Sequence, residues 1–180
     1  MGLDFEASAS IQDRVVEKDP RLEGKKVLLY VGTMVRVRKI DFLIRVLALV
    51  SKQIDNVVLV LVGDAPKADM ELLYREVEAA GVKDKVIFTG FIAMEKAWDY
   101  IRQADVCLSP FRPIFVLNST SPTKVIEYLA FGRPVVANDH PEQSLMLNES
   151  GGGYAVPYTE NDFARAVVAL LKDPARAAEM

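Results

Sequence analysis

The chain has 180 residues, of which 51% are hydrophobic, so it is long and apolar enough for one folded domain with a real core, and general disorder is excluded. Its formal charge is −3 at pH 7. No basic face is large enough to neutralise the many phosphates of a nucleic-acid polymer, although one small phosphorylated ligand is still allowed.

The beginning of the chain differs from the rest. Residues 1–24 are polar and irregular, and they predict at most a short helix around Ile11 to Val16. We interpret 1–24 as a linking segment and 25–180 as the domain. Its first element is Lys26 to Gly32, a continuous apolar run that ends at glycine and is typical of a strand buried on both faces.

A cationic loop follows the first strand. It carries Arg36, Arg38 and Lys39. Apolar residues at helical spacing come next and predict an amphipathic helix. They are Leu43, Val46, Leu47 and Val50. The three positive charges are consistent either with a solvated turn or with an anion site.

Strands and helices then alternate to the end of the chain. The further predicted strands are Val57 to Val62, Val86 to Phe88, Val106 to Leu108, Pro134 to Ala137 and Tyr154 to Val156. The predicted helices run from about Lys67 to Ala80, Glu95 to Gln103, Pro122 to Phe131 and Glu160 to Lys172, and a further short helix after the loop Asn138 to Glu142 ends at Asn148. A loop is predicted over Ser109 to Thr120. This alternation predicts an α/β fold, a doubly wound, Rossmann-like, mostly parallel six-stranded sheet with helices on both faces.

The helix after the long loop has the clearest chemistry. Ser121 is predicted to be its N-cap, Pro122 its first residue and Gly132 its left-handed C-terminal residue. The free amides at Thr123 and Lys124 and the Lys124 ammonium then form a place for a phosphate. Further along the same helix, Glu127 offers acceptors to the vicinal hydroxyls of a ribose. The alternative is an ordinary helix start with an exposed glutamate.

Other features of the sequence argue against a disulfide, a membrane span and a metal site. The single cysteine, Cys107, cannot form an internal disulfide and is predicted to be buried. With no apolar run long enough for a membrane span and no signal segment, we predict a cytoplasmic domain. One histidine, His140, and the lack of an Asp-x-Asp pair predict no metal site. We expect His140 to be structural or exposed, and Trp98 and Tyr100 to serve in packing.

Several motifs, in their order and spacing, carry a family resemblance. They are Val31-Gly32-Thr33 with Arg38, Val62-Gly63-Asp64, Val86-Ile-Phe-x-Gly90, Ala104-Asp-Val-x-Leu-Ser-Pro110 and Ser121-Pro-Thr-Lys-x-x-Glu-Tyr-x-Ala-x-Gly-x-Pro-Val-Val136. From about residue 26 to 172 the chain resembles the C-terminal, donor-binding domain of group 1 (family 4) retaining glycosyltransferases of the GT-B type. This resemblance implies a fragment whose N-terminal acceptor domain is absent, so any membrane association would come through that other domain.

The resemblance also implies roles for individual residues. The donor diphosphate is expected near Gly32, Thr33 and Gly63, with Arg38 as one member of a basic pair whose other member, usually arginine, is Thr33 here. The amides of Thr123 and Lys124 would meet the diphosphate, Glu127 would hold the ribose, and Gly90, Phe91 and Ile92 would face the nucleobase. Ser119 stands where the family often has a sugar-facing glutamate, and Ser121 begins the motif.

The activity that the resemblance implies is transfer of a sugar from a nucleoside-diphosphate sugar, with retention and without a metal or other cofactor. Arg38, Lys124 and Glu127 are the expected catalytic residues, and the isolated domain is expected to bind the donor weakly and to transfer nothing. Two alternatives stay open. One is half of a GT-B nucleotide-sugar epimerase. The other is a non-catalytic nucleotide-binding or phospho-accepting regulatory domain, although the Gly-x-Gly-x-x-Gly of a dinucleotide site is absent.

Overall fold

The structure, a computed structural model, describes residues 15–118 and 120–180. Its six strands are β1 (Lys26–Val31), β2 (Val57–Val62), β3 (Val86–Gly90), β4 (Val106–Ser109), β5 (Val135–Asn138) and β6 (Gly153–Val156). They form one sheet in the order β3-β2-β1-β4-β5-β6, and every strand pairing is parallel. The predicted doubly wound fold is confirmed.

The helices are α1 (Asp41–Val50), α2 (Lys67–Ala79), α3 (Met94–Gln103), α4 (Phe115–Asn118), α5 (Thr123–Ala130), α6 (Pro141–Ser150), α7 (Glu160–Lys172) and α8 (Pro174–Glu179). The predicted helices match α1, α2, α3, α5, α6 and α7 to within a few residues. Sequence reasoning missed α4, inside the predicted loop, and α8, after the last predicted helix. Both are short, and a helix of four to six residues is too brief to show a periodic pattern.

Alternate residues of the strands feed two hydrophobic cores, one on each face of the sheet. In β1, Leu28 and Tyr30 pack with residues of α1, α2 and α7, whereas Val27 and Leu29 pack with residues of α3, α5 and α6. Strands buried on both faces need apolar residues at every position, which explains the continuous apolar runs. Cys107 is fully buried, as predicted, and burial raises its pKa.

The segment before β1 packs on the domain. The turn Pro20–Leu22 is a short 3-10 helix capped by Asp19, and Leu22 is buried in the core that holds α3. The Asp19 amide donates to Gln103 Oε1, and Tyr100 Oη donates to the Asp19 carboxylate over 2.8 Å. The hydrogen bonds of Arg21 hold the pKa of Asp19 at about 2. Most of the helix predicted around Ile11 to Val16 lies outside the described residues, and the proposed boundary at residue 24 stays a prediction.

Among the described residues, no helix combines the length and the apolar character needed to cross a membrane.

Candidate functional site

Three glycines end the strands on one half of the sheet. Gly32, Gly63 and Gly90 follow or close β1, β2 and β3, and the Gly32 amide donates to Val62 O over 2.9 Å. The Gly63 amide donates to Gly90 O over 3.2 Å. Gly63 has φ +130°, and a Cβ on it would lie 2.2 Å from Gly32 O. The strand ends therefore approach so closely that only glycine fits at Gly63.

A large open cavity lies over these strand ends. It measures about 750 Å³ and its walls are mostly apolar. Five residues predicted to hold the donor line it, namely Gly32, Thr33, Gly63, Phe91 and Ile92. The Phe91 side chain is 87% exposed at its rim. Gly90 takes part through its carbonyl, which receives the Gly63 amide, and its φ of +68° turns the chain into the cavity wall. This volume and lining suit a flat, partly apolar ligand group.

Beside this cavity, Lys124 reaches over the end of β1. A Cβ on Gly32 would lie 3.6 Å from Lys124 Cε, so the aliphatic stem passes directly over that glycine. The Lys124 Nζ lies 5.4 Å from the centroid of the Tyr30 ring and 4.9 Å from that of Phe111. Two aromatic faces thus hold the ammonium group in place without neutralising it.

Arg38 and Glu127 act on the same ammonium group. Desolvation and the nearby positive charge of Arg38 lower the pKa of Lys124 to about 8, while the negative charge of Glu127 opposes this change. Burial raises the pKa of Glu127, and Lys124 works against that rise. Arg38 and Glu127 therefore lie close enough to Lys124 to influence its charge, and Lys124 itself lies next to Gly32 at the carboxyl edge of the sheet. Their roles toward a ligand stay predictions.

The start of α5 differs from its prediction. Pro122, not Ser121, is the N-cap, and its backbone (φ −83°, ψ 63°) lies outside the helix. The Ser121 hydroxyl instead donates to Glu142 Oε2 over 2.8 Å, because the start of α6 lies beside it. The Thr123 amide donates to Ser121 O over 3.0 Å and is therefore not free. Of the two amides predicted to meet a phosphate, only that of Lys124 has no acceptor among the described residues.

A buried tyrosine fixes α5 to β1. The Val31 amide donates to Tyr128 Oη over 2.9 Å, and Tyr128 is fully buried. β4 pairs with β1 only at Leu28 and Leu29, so the tyrosine takes the place of a strand partner at the end of β1. This contact sets the height of Lys124 above Gly32.

We expect Tyr128→Phe to lower the free energy of unfolding by about 1–3 kcal/mol, because the Val31 N–H loses its acceptor inside the protein. Chemical denaturation measures the change. Tyr74→Phe is the matched control, since Tyr74 is 49% exposed and its ring contact with Phe88 does not need the hydroxyl. Equal stabilities of the two variants would contradict this role for Tyr128.

Several other residues of interest occupy defined places. His140 is buried beside Phe111, with ring centroids 5.2 Å apart, and its ring nitrogens have no partner in the described part of the chain. Trp98 packs on Phe131 and Tyr100 bonds to Asp19, which fits the packing roles expected of them. Ser119 lies outside the described residues, so its expected contact with the donor sugar stays a prediction.

Sequence reasoning did not select Tyr30 or Phe111, the two aromatic neighbours of Lys124. Tyr30 lies within an apolar strand and Phe111 follows a Ser-Pro pair, so neither stands out locally. The one available signal was that both lie at the carboxyl ends of strands, β1 and β4, where the order of the sheet reverses direction and ligands commonly bind. As to metals, the described residues contain no group of three acidic, histidine or cysteine side chains placed to hold an ion.

Comparison with known proteins shows to which family this chain is similar. The sequence model of the family described as "Glycosyl transferases group 1" matches residues 25–173. The chain is 31% identical over 177 residues to the alpha-monoglucosyldiacylglycerol synthase of Streptococcus pneumoniae, an alignment that covers 94% of this chain and 38% of that protein. The chain thus spans about two fifths of the length of the curated relatives it matches.

Solved structures share the fold. HepE of Anabaena in complex with UDP has a TM-score of 0.75 at 18% identity, covering 98% of this chain and 48% of that one. HepE in complex with UDP-glucose has a TM-score of 0.74 at 19% identity, again covering 98% of this chain and 48% of that one. The C-terminal domain of the group 1 glycosyltransferase LpcC from Francisella tularensis has a TM-score of 0.68 at 19% identity, covering 86% of this chain and 78% of that one. At these identities the likeness concerns the fold alone.

Proposed function

The chain belongs to the group 1 glycosyltransferase family, and we propose that it is the donor-binding part of a retaining enzyme that transfers a sugar from a nucleoside-diphosphate sugar. The observation that carries the proposal is that the charges of Arg38 and Glu127 act on Lys124, whose stem lies over Gly32, a residue that lines the large cavity. Positive groups for a diphosphate and an acid for a ribose lie within one site. Neither the epimerase nor the regulatory alternative is favoured by a specific observation.

The strand order suggests how the donor would lie. The cavity on the β2 and β3 side, with Phe91 and Ile92, offers apolar surface to a nucleobase. Lys124 and Arg38, over β1 and β4, would meet the diphosphate, and Glu127 would accept hydrogen bonds from the ribose between them. The HepE complexes with UDP and UDP-glucose support this class of ligand.

In the reaction that we propose, negative charge grows on the diphosphate as its bond to the sugar breaks. The Lys124 ammonium, the Arg38 guanidinium and the free Lys124 amide would stabilise that charge more in the transition state than in the bound donor, which is what accelerates the step. None of these groups needs to transfer a proton. We also propose that no metal or other cofactor is required, since these positive groups face the leaving group, and that acceptor recognition lies outside this domain.

We expect Glu127→Ala to weaken UDP binding at least about 100-fold, because two hydrogen bonds to a carboxylate, each with a net worth of about 1.5–3 kcal/mol, are lost. Arg38→Ala should weaken it less, about tenfold, since Lys124 remains. Calorimetric titration of the purified chain with a panel of nucleoside diphosphates and their sugars measures both effects.

A ligand without the ribose hydroxyls is the control for Glu127. 2′,3′-Dideoxy-UDP should bind wild-type protein and Glu127→Ala with equal affinity. Glu127→Gln, which keeps one acceptor, should fall between wild type and alanine for UDP. If Glu127→Ala weakens UDP and its dideoxy analogue equally, Glu127 does not hold the ribose.

A further inference from the structure

A second, smaller cavity lies at the same edge of the sheet, between the starts of α1 and α7. It measures about 240 Å³, and its polar lining consists of Lys39, Asp41, Arg45, Arg112, Tyr158 and Glu160. None of these residues lines the large cavity. The loops after β1 and β4 contribute residues both to the surroundings of Lys124 and to the second cavity. Arg38 and Phe111 act on Lys124. The residues that follow them, Lys39 and Arg112, line the second cavity.

The acids of this cavity are already paired. Arg45 binds Asp41 over 2.9 Å, Glu160 over 2.9 Å and Glu76 over 3.2 Å. One guanidinium group therefore satisfies three carboxylates that hold α1, α2 and α7 together. Lys39 and Arg112 have no carboxylate partner among the described residues, and Arg112 is half-buried. Lys39 and Arg112 thus lie outside this ion-pair network: its three carboxylates outnumber the one guanidinium group and offset their charge, but neither residue makes a direct ion pair with them.

Lys39 has a backbone conformation that lysine rarely adopts. Its φ of 53° and ψ of 48° are left-handed, and within the described ranges it is the one residue other than glycine with positive φ. A residue other than glycine carries a cost in backbone strain in this conformation, because its Cβ lies too close to the following carbonyl oxygen. Glycine would remove that cost, so the lysine side chain is retained at a price in stability, which points to a use for its charge.

The cavity wall also contains a donor without an acceptor. The Tyr158 ring stacks on Phe42, with centroids 4.4 Å apart, and its buried hydroxyl has no partner in the described part of the chain. Burial raises the pKa of Tyr158 to about 12, so the hydroxyl keeps its proton at neutral pH and can donate. The hydroxyl oxygen is closed to solvent, so it would donate to an anion in the cavity only after the side chains that cover it move.

We propose that this cavity binds a phosphate monoester, with Lys39 and Arg112 as the charged ligands and Tyr158 as a hydrogen-bond donor. The volume admits a phosphate with a few attached atoms. The site is separate from the diphosphate site proposed above, so the two can be occupied together. The phosphate is borne either by the headgroup of an anionic lipid or by a free phosphorylated molecule.

The test uses the whole chain with UDP at saturation, so that phosphate cannot enter the first site. Titration with glycerol 3-phosphate, followed by NMR amide shifts, should perturb Lys39, Arg112 and Tyr158. Lys39→Gln and Arg112→Gln should each weaken this binding at least about fivefold and the double variant should abolish it. Lys52→Gln, at an exposed site elsewhere, should leave it unchanged. Binding that survives the double variant overturns the proposal.

Lys39→Gly separates ligand binding from folding. It removes the charge and relieves the left-handed backbone, so it should raise the melting temperature while it weakens phosphate binding. A lower melting temperature would show that Lys39 has a structural role and would overturn the proposal. UDP affinity, measured on the same samples, reports separately on the proposed function, because loss of phosphate binding with intact UDP binding affects only the second site.

Vesicles identify the source of the phosphate. Co-sedimentation with phosphatidic acid vesicles, lost in Arg112→Gln and absent with phosphatidylcholine vesicles, assigns the site to a lipid headgroup. Glycerol 3-phosphate binding without co-sedimentation assigns it to a free phosphate ester. If neither probe binds, the proposal fails.

Discussion

Gly63→Ala is expected to lower the free energy of unfolding by at least about 3 kcal/mol, roughly 6–12 °C in melting temperature for a chain of this size. Two effects add. The φ of +130° is one that alanine rarely adopts, and the new Cβ would lie 2.2 Å from the Gly32 carbonyl oxygen and 2.9 Å from the Gly32 carbonyl carbon. Both close atoms belong to the backbone, so a rotamer change cannot relieve the clash.

The same substitution should also reduce nucleotide binding. Gly32 lies beneath the Lys124 stem and lines the large cavity, so a shift of its backbone displaces the proposed diphosphate site. Gly81→Ala is the matched control, because Gly81 has φ +66° with nothing within 4 Å of an added Cβ. It should cost only about 1–2 kcal/mol, from backbone strain alone, and leave UDP affinity unchanged. Thermal unfolding and UDP titration compare the two variants. Equal melting temperatures and equal UDP affinities would contradict the close approach of the strand ends.

The sheet could be predicted from sequence because strand and helix patterns alternate along the chain and parallel topology then leaves few arrangements. The residues around Lys124 could not. Tyr30 and Phe111 are brought to it by strands β1 and β4, which are adjacent in the sheet but distant in the chain. Likewise, Ser121 before Pro122 has the local pattern of an N-cap, yet its hydroxyl bonds to Glu142, 21 residues away, in a contact that only tertiary packing creates.

Some charged residues of the two sites could likewise be predicted from sequence, whereas others could not. Arg38 and Lys124 could be selected because one follows a strand and the other lies at a helix start, where anion sites form, and Glu127 because it follows Lys124 on that helix. Apart from the family resemblance, which selects Arg38, Lys39 could not be distinguished from Arg38 by sequence, since both belong to one basic run. Only the backbone conformation of Lys39 and the pairing of the neighbouring acids with Arg45 separate the two, and both depend on how α1 packs against α2 and α7.

Lys124→Met is expected to weaken UDP binding about 100-fold, since a buried positive group aimed at the diphosphate is lost while its aromatic neighbours keep a side chain of similar length. The pH dependence should change with it. The pKa of Lys124 in the free protein is about 8, and a bound diphosphate stabilises the ammonium form and raises that pKa. Protonated Lys124 is therefore the form that binds, so wild-type affinity should be highest below pH 8 and fall toward tenfold per pH unit above it.

Titrations of UDP between pH 7 and 9 at constant ionic strength measure this slope, in a range where the terminal phosphate of UDP is already mostly ionised. Lys124→Met should bind weakly with no slope. Lys124→Arg keeps its charge throughout the range, so its affinity should also be independent of pH, but above that of the methionine variant. A wild-type affinity that stays constant to pH 9, or a slope that persists in Lys124→Met, would contradict the proposed contact between Lys124 and the diphosphate.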